Sequence, residues 1–287
     1  MTEHGGYTIK LTDDEFVKIK SMVFKEIGVN LTEAKRSLVI SRLNKRLREL
    51  GLLSFSQYIE YTQDNRDELE IIFNRITTNV TKFFRENHHF EYLYEQYLPV
   101  LEQKITNIDD SNKTLRVWSA ACSTGEEPYT IAMVLSEYFA NKPKWNYKIL
   151  ASDINTETLK KASSGIYTKK EVEEIPYNML KKYFQVGTGQ NSGLFKIKDI
   201  VRNNISFRKI NLTAEKEYPI QSALDIIFCR NVFIYFSRET QAKVLNRYYE
   251  HLKPGGLLFL GHSESIGTAQ ELREKWAFKR HTIYERL

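Results

Sequence analysis

Residues 119–130 read SAACSTGEEPYT, and the reading of this stretch decides the fold. Before it stands LRVW (115–118), a β-branched and aromatic run that reads as a strand. After it stands IAMVLSEYFA (131–140), apolar at helical spacing. A strand, a tight turn and a helix form the place where α/β proteins bind cofactors. Phosphate-binding turns fill it with glycines and leave the helix N-terminus bare for an anion. Here a single glycine, Gly125, is followed by Glu126 and Glu127. Both acids suit the positive end of a helix dipole and Pro128 suits a first turn, so plain helix initiation is one reading of them. A pyrophosphate would meet two carboxylates there, and no Gly-Lys-Ser/Thr follows to make a P-loop. A cationic ligand carrying a ribose fits the turn better.

Working outward, Asp153 ends a second strand, KILASD, at its carboxyl edge, where an acid in a doubly wound sheet accepts ribose hydroxyls. DIIFCRN (225–231) ends over the same crevice, and LKPGGLLFLG (252–261) is a turn leading into a further strand. From Leu115 onward, strand-like and helical runs alternate. This predicts a mainly parallel sheet with helices on both faces. The chain ends in a strand after FKRHTIYERL. Residues 165–208 break the alternation: GTGQNSG between YFQV and LFKIK signals a hairpin, and ISFRKI adds a strand. They are read as a small antiparallel insertion.

Residues 1–85 read as an all-helical domain. Thr12 and Glu15 form a capping box, Thr32 starts a second helix with Gly51 as its stop, Ser54 caps a third, and DELEIIFNRITTN carries a fourth. Residues 86–115 form a helical linker ending in the polar stretch TNIDDSNKT, and residues 116–287 form the α/β domain. The 287 residues are enough for such an arrangement. No apolar run approaches the ~18–20 residues of a membrane helix, which argues against membrane insertion. The N-terminus has no apolar signal core. Two distant cysteines, Cys122 and Cys229, form neither a disulfide framework nor a CxxC pair, in keeping with a cytoplasmic protein. The net charge of +6 suits an acidic partner or none.

The four features in this order resemble class I S-adenosylmethionine-dependent methyltransferases: a Rossmann-like, mainly parallel sheet with a C-terminal antiparallel strand. S-Adenosylmethionine carries a sulfonium, an ammonium and a ribose but no phosphate, which suits an acidic turn. TNVTKFFR (78–85), VWSAACSTGEEPY (117–129), ASDI (151–154), INL (210–212), CRNVFIYF (229–236) and LKPGGLLFLGHSE (252–264) together resemble the chemotaxis receptor glutamate methyltransferases, the CheR family. The resemblance spans almost the whole chain. It implies transfer of a methyl group from S-adenosyl-L-methionine to receptor glutamates, with S-adenosyl-L-homocysteine as product and no metal.

Carried over by position, it implicates Asn79, Thr81 and Arg85 in closing over the cofactor, and Glu127 and Asp153 in contacting it. Asn211 and Leu212 flank the adenine, and Arg230 and Asn231 face the cofactor. Tyr235 lies near the methyl group, which makes Arg85 and Tyr235 the catalytic candidates. Ala121, Ser123 and Gly125 stand where many methyltransferases have GxGxG. The resemblance further implies that Lys35, Arg42, Lys45 and Arg46 dock the receptor's cytoplasmic methylation helices, recruiting the protein to membrane receptor arrays. The β insertion is a possible seat for a receptor C-terminal tether peptide.

His88 and His89, adjacent on a helix, are expected to diverge and share no metal. His262 either lines the substrate entrance or caps its loop. Both cysteines read as packing groups. A nucleic-acid methyltransferase is disfavoured because RNVF lacks the Asp/Asn-Pro-Pro-aromatic signature of amino-directed enzymes. A non-catalytic receptor-binding module is disfavoured by the ribose acid and arginines, and a dinucleotide oxidoreductase by the acidic turn.

Overall fold

The computed structural model describes residues 8–77, 79–106 and 113–287. Thr78 of the TNVTKFFR motif, the N-terminal heptapeptide and residues 107–112 of the polar stretch lie outside the described residues.

Four helices come first: α1 (Asp13–Ile27), α2 (Arg36–Glu49), α3 (Phe55–Asp64) and α4 (Arg66–Ile76). The Thr12 capping box forms as the sequence predicts, with the Glu15 side chain returning to the Thr12 N–H. Gly28 ends α1 in the left-handed region, φ 67°, and a Cβ there would lie 2.6 Å from Thr213 Cγ2. The second helix starts later than Thr32, after a short 3-10 turn at Glu33–Lys35. The apolar faces of α1 to α4 close their own core around Phe16, Val39, Leu43, Leu47, Phe55 and Tyr58.

Two short helices, α5 (His88–Tyr92) and α6 (Leu98–Thr106), lead through a π turn into the sheet domain. There β1 (Lys113–Ala120), α7 (Glu126–Phe139), β2 (Trp145–Asp153) and α8 (Thr156–Ser164) open a doubly wound sheet. An excursion follows: β3 (Ile166–Thr168), α9 (Tyr177–Tyr183), β4 (Phe184–Val186), β5 (Leu194–Ile197) and α10 (Asp199–Arg202). The chain then adds β6 (Ile205–Lys209), β7 (Leu224–Cys229), α11 (Arg238–His251), β8 (Leu252–Leu260), α12 (Gln270–Lys275), β9 (Trp276–Arg280) and β10 (Ile283–Arg286).

The main sheet runs β6-β2-β1-β7-β8-β10-β9. The first five strands are parallel, and β10 is antiparallel to both of its neighbours. The fold class is therefore the expected Rossmann-like sheet with helices on both faces. The order reverses between β1 and β7, which opens a crevice at their carboxyl ends.

The insertion is shorter than the 165–208 expected from sequence. Its three-stranded antiparallel sheet holds β3, β5 and β4, with GTGQNSG joining β4 to β5. Ile205–Lys209 instead pairs in parallel with β2 at the edge of the main sheet. Half-buried alternation looks the same for either placement, which is why the sequence reading wrongly put this strand in the insertion.

Phe83 fastens the segment after α4 to this small sheet, its ring 4.9 Å from Tyr167 and 5.7 Å from Phe184, edge-on to both. The Tyr167 hydroxyl then donates to the Thr124 carbonyl, 2.8 Å away in the cofactor-type turn.

Candidate active site

The helical domain meets the sheet domain over the crevice. Val29 bridges to Phe236, and the Asn30 N–H donates to the Tyr235 carbonyl at 2.8 Å. Asn155 donates to the Asn74 carbonyl and the Thr77 hydroxyl at 3.1 and 2.9 Å. Between the domains lies a cavity of about 1160 Å3 including its open mouth.

Every residue named from the sequence for cofactor or catalysis lines that one cavity: Asn79, Thr81, Arg85, Ala121, Glu127, Asp153, Asn211, Leu212, Arg230, Asn231 and Tyr235. Lys35, read from sequence as a docking residue, lines it too. Its Nζ sits 4.0 Å from the centre of the Tyr235 ring. Burial lowers the Lys35 pKa.

The turn after β1 keeps only one of its three usual glycines. Ala121, Ser123 and Gly125, the three positions aligned with GxGxG, all have left-handed backbones, with φ of 67°, 50° and 97°. Each of the two non-glycine residues costs of order 1–3 kcal/mol in that region. The surrounding bonds hold the turn: the Ser123 N–H donates to Asp153 at 2.8 Å, and its hydroxyl donates to the Asn79 carbonyl at 3.1 Å. At Gly125 a Cβ would lie 2.9 Å from both Ala162 Cβ and the Tyr167 hydroxyl, so glycine is retained where space runs out.

Asp153 is 7% exposed at the carboxyl end of β2. Its oxygens accept the N–H groups of Asn155 (2.9 Å) and Ser123 (2.8 Å). Burial raises its pKa, and these N–H groups oppose the rise. The two acids of the turn separate. Glu126 is buried, accepts from the Thr124 hydroxyl at 2.6 Å and is not among the cavity-lining residues. Successive helical residues point about 100° apart, so only one of the pair can face the ligand. Glu127 is that one. It accepts from the Ser119 hydroxyl at 2.7 Å and from Arg230 at 3.3 Å, and burial raises its pKa against the pull of Arg230.

Arg230 is the hub. With its side chain 3% exposed, it lies 3.3 Å from both Glu86 and Glu127, and it donates to the Arg85 carbonyl. Glu86, adjacent to Arg85 but not singled out from the sequence, also meets His262 and Asn231 at 3.2 and 3.3 Å. Burial would raise the Glu86 pKa, but Arg230, His262 and Asn231 outweigh it and pull the carboxyl down to about 2. His262 is 68% exposed, bonded to Glu86 and Ser263 at the rim.

Two expectations change. The rings of His88 and His89 do not diverge. Their centres are 4.3 Å apart, and with Glu86 their ligating atoms lie within 4.8 Å of one another. Cβ vectors diverge on a helix, but the rings swing back, and His88 also approaches His281 at 4.8 Å. The Arg230 guanidinium already occupies the charge environment that a cation would need there.

The basic face of α2 is also less open than its spacing suggests. Arg42 donates to the carbonyls of Arg75, Ile76 and Thr77, capping the end of α4. Arg46 forms a fork with buried Glu68 at 2.8 and 2.7 Å, leaving Lys45 exposed on that face. Asn211, besides lining the cavity, donates from its amide to the Glu26 carbonyl at the end of α1, and its oxygen is held by Thr213. Its side chain therefore ties the two domains together.

The donor set fits S-adenosylmethionine. It offers a strand-end acid for a ribose, a second carboxylate for an ammonium, arginines for a carboxylate, and apolar Ile154, Ile210 and Leu212 for a flat base. Both cysteine thiols are buried and pushed far up, so they stay protonated. Fold and cavity together define a class I S-adenosylmethionine-dependent methyltransferase. A family model described as "CheR methyltransferase, SAM binding domain" matches residues 79–282, and one described as "CheR methyltransferase, all-alpha domain" matches residues 14–77. The chain is 40% identical over 279 residues to the chemotaxis protein methyltransferase of Escherichia coli K12, covering 96% of this chain and 92% of that one. It is 39% identical over 261 residues to that of Borreliella burgdorferi, covering 90% of each. The chain belongs to the CheR methyltransferase family and methylates in chemotaxis. Among the described residues no helix is long and apolar enough to cross a membrane.

Proposed function

We propose that the chain methylates glutamate side chains of chemotaxis receptors to glutamyl esters, with Arg85 and Tyr235 as the catalytic pair. The observation that carries this reading is the Lys35 ammonium 4.0 Å from the centre of the Tyr235 ring, in a cavity that Arg85 also lines. S-Adenosylmethionine supplies a methyl group on a sulfonium sulfur, which takes the S–C bonding pair as a carboxylate oxygen bonds the carbon. A glutamate is ionised at pH 7 and needs no base. The residues therefore have to strip its water and hold it in line at ~3–3.5 Å. Lys35 and Arg85 attract the carboxylate, and the Tyr235 ring bounds its approach. Asp153 receives the ribose, Glu127 the ammonium, and Arg230 and Asn231 fix the far side. Asn79 and Thr81 close the segment over the ligand, while Ala121, Leu212 and the Asn211 backbone wall it.

Arg85→Ala and Tyr235→Ala are expected to lower kcat by about ten- to a hundredfold, the ~1.4–2.8 kcal/mol of one lost transition-state contact, with thermal unfolding little changed. Near-normal kinetics in either variant removes that residue from the catalytic pair.

Docking of the receptor's methylation helices is assigned to α2, where Lys45 is exposed and Arg42 adds positive charge from its anchored position, while Glu68 and Glu49 offset the charge of Arg46. The edge of the β3-β5-β4 sheet is the seat for a receptor C-terminal peptide. One experiment tests the whole reading. The protein is incubated with methyl-labelled S-adenosylmethionine and membranes holding its cognate receptors, and the product is treated with mild base. Labelled methanol is expected. Base-stable label would overturn ester formation, and no label despite S-adenosylhomocysteine binding would overturn the receptor as acceptor. In the same assay Lys45→Glu should lower labelling and spare cofactor binding; equal loss of both would sink the docking surface. Receptors trimmed of their C-terminal peptide should be labelled more slowly, and unchanged labelling would sink the tether.

A further inference from the structure

Three cavity residues, Arg230, Asn231 and Tyr235, hang on one short turn after β7. The side chains of Arg230 and Asn231 meet Glu86 and Glu127 on the cavity side. The backbone of the turn is held from behind by Glu264, 6% exposed in the segment after β8. One Glu264 oxygen accepts the N–H groups of Phe233 (2.7 Å) and Ile234 (3.3 Å). The other accepts those of Asn231 (2.9 Å) and Gly261 (2.6 Å). Four backbone donors thus converge on one carboxylate. Their geometry fixes Asn231 in the left-handed region, φ 61°, and the 3-10 turn Phe233–Tyr235 that follows. Gly261 closes the cradle, since a Cβ there would lie 2.7 Å from the Asn231 nitrogen and 2.8 Å from Glu264 Oε2.

We infer that Glu264 is a positioning residue for methyl transfer, its carboxylate setting the turn that presents Arg230, Asn231 and Tyr235 to the cofactor cavity. The chemistry demands a carboxylate. Each oxygen serves two N–H donors, so a glutamine in its place must aim its NH2 at one donor pair whichever way it turns. Two N–H groups then lose their acceptor, and the turn relaxes away from the cavity.

The test is a calorimetric titration of Glu264→Gln with S-adenosylhomocysteine, which needs no acceptor and so stands apart from the glutamate reading. One-to-one binding with a dissociation constant raised about tenfold, the ~1.4 kcal/mol of a displaced contact, is the expected result. An unchanged constant overturns the inference, whether stoichiometry is full or reduced, because reduced stoichiometry alone marks a misfolded fraction. If Glu264→Gln does not fold, Gly261→Ala presses on the same turn while keeping the charge. It should weaken binding likewise, and an unchanged constant there overturns the inference equally.

Discussion

Asp153→Ala is expected to weaken S-adenosylhomocysteine binding by two to four orders of magnitude. The carboxylate is anchored rather than free: each oxygen already accepts one backbone N–H, from Asn155 or from Ser123. A carboxylate oxygen has a second lone-pair site, and two ribose hydroxyls can take one on each side. Hydrogen bonds to a charged group contribute about 1.5–3 kcal/mol each, so the pair is worth roughly 3–6 kcal/mol. At about 1.4 kcal/mol per tenfold, this gives the stated range. Asp153→Asn should lose most of it too, because its NH2 must face one of the anchoring N–H groups. Calorimetric titration of both variants checks this. A loss smaller than about tenfold, one weak contact on the same scale, would remove Asp153 from the ribose role.

The second large effect falls on stability. Arg230→Ala leaves Glu86 and Glu127 without the guanidinium that lies between them. Breaking a buried pair from one side typically costs about 3–5 kcal/mol. The pH dependence identifies the cause. Glu86 has a folded-state pKa pulled down to about 2 from 4.5, so it contributes stability that is full above about 4.5 and lost as pH falls toward 2. Without Arg230 the depression shrinks and Glu127, already raised by burial, rises further. The deficit of the variant should therefore be largest at pH 7 and narrow as the pH approaches 4. Urea unfolding of both proteins at the two pH values measures it. A deficit independent of pH would assign the loss to packing against Phe90, which the guanidinium covers at 5.4 Å. Arg230→Lys should recover only part of the loss, because an ammonium cannot fork between two acids.

The fold was legible because period and position carry it. LRVW, KILASD and DIIFCRN announce buried strands, and the acid at the end of the second strand marks the crevice. Asp153 could be named because a doubly wound sheet gathers its strand ends in one place; Asn79, Thr81, Arg85, Asn211, Leu212, Arg230, Asn231 and Tyr235 were named by the resemblance to the CheR family. What remained hidden depends on partners rather than patterns. Nothing in the spacing of α2 shows that Arg42 caps α4 or that Arg46 answers a buried glutamate. Alternation in ISFRK does not tell an edge strand of the main sheet from a strand of the insertion. Glu264 sat in a quoted motif, but its role exists only once four backbone N–H groups converge on it. The left-handed backbones at Ala121 and Ser123 contradict residue preference and are legible only by comparison with the glycines usual there.

Phe83 has a consequence for time rather than affinity. The segment that lines one side of the cavity is not a free flap, because its phenyl ring is socketed between Tyr167 and Phe184. Withdrawing such a ring forfeits roughly 1.5–3 kcal/mol of burial before anything else moves. Tyr167 also grips the turn after β1, so the small sheet holds that turn and the Phe83 segment together like a clasp. How long the spent nucleoside stays after each transfer is then set in part by a piece of chain that never touches it.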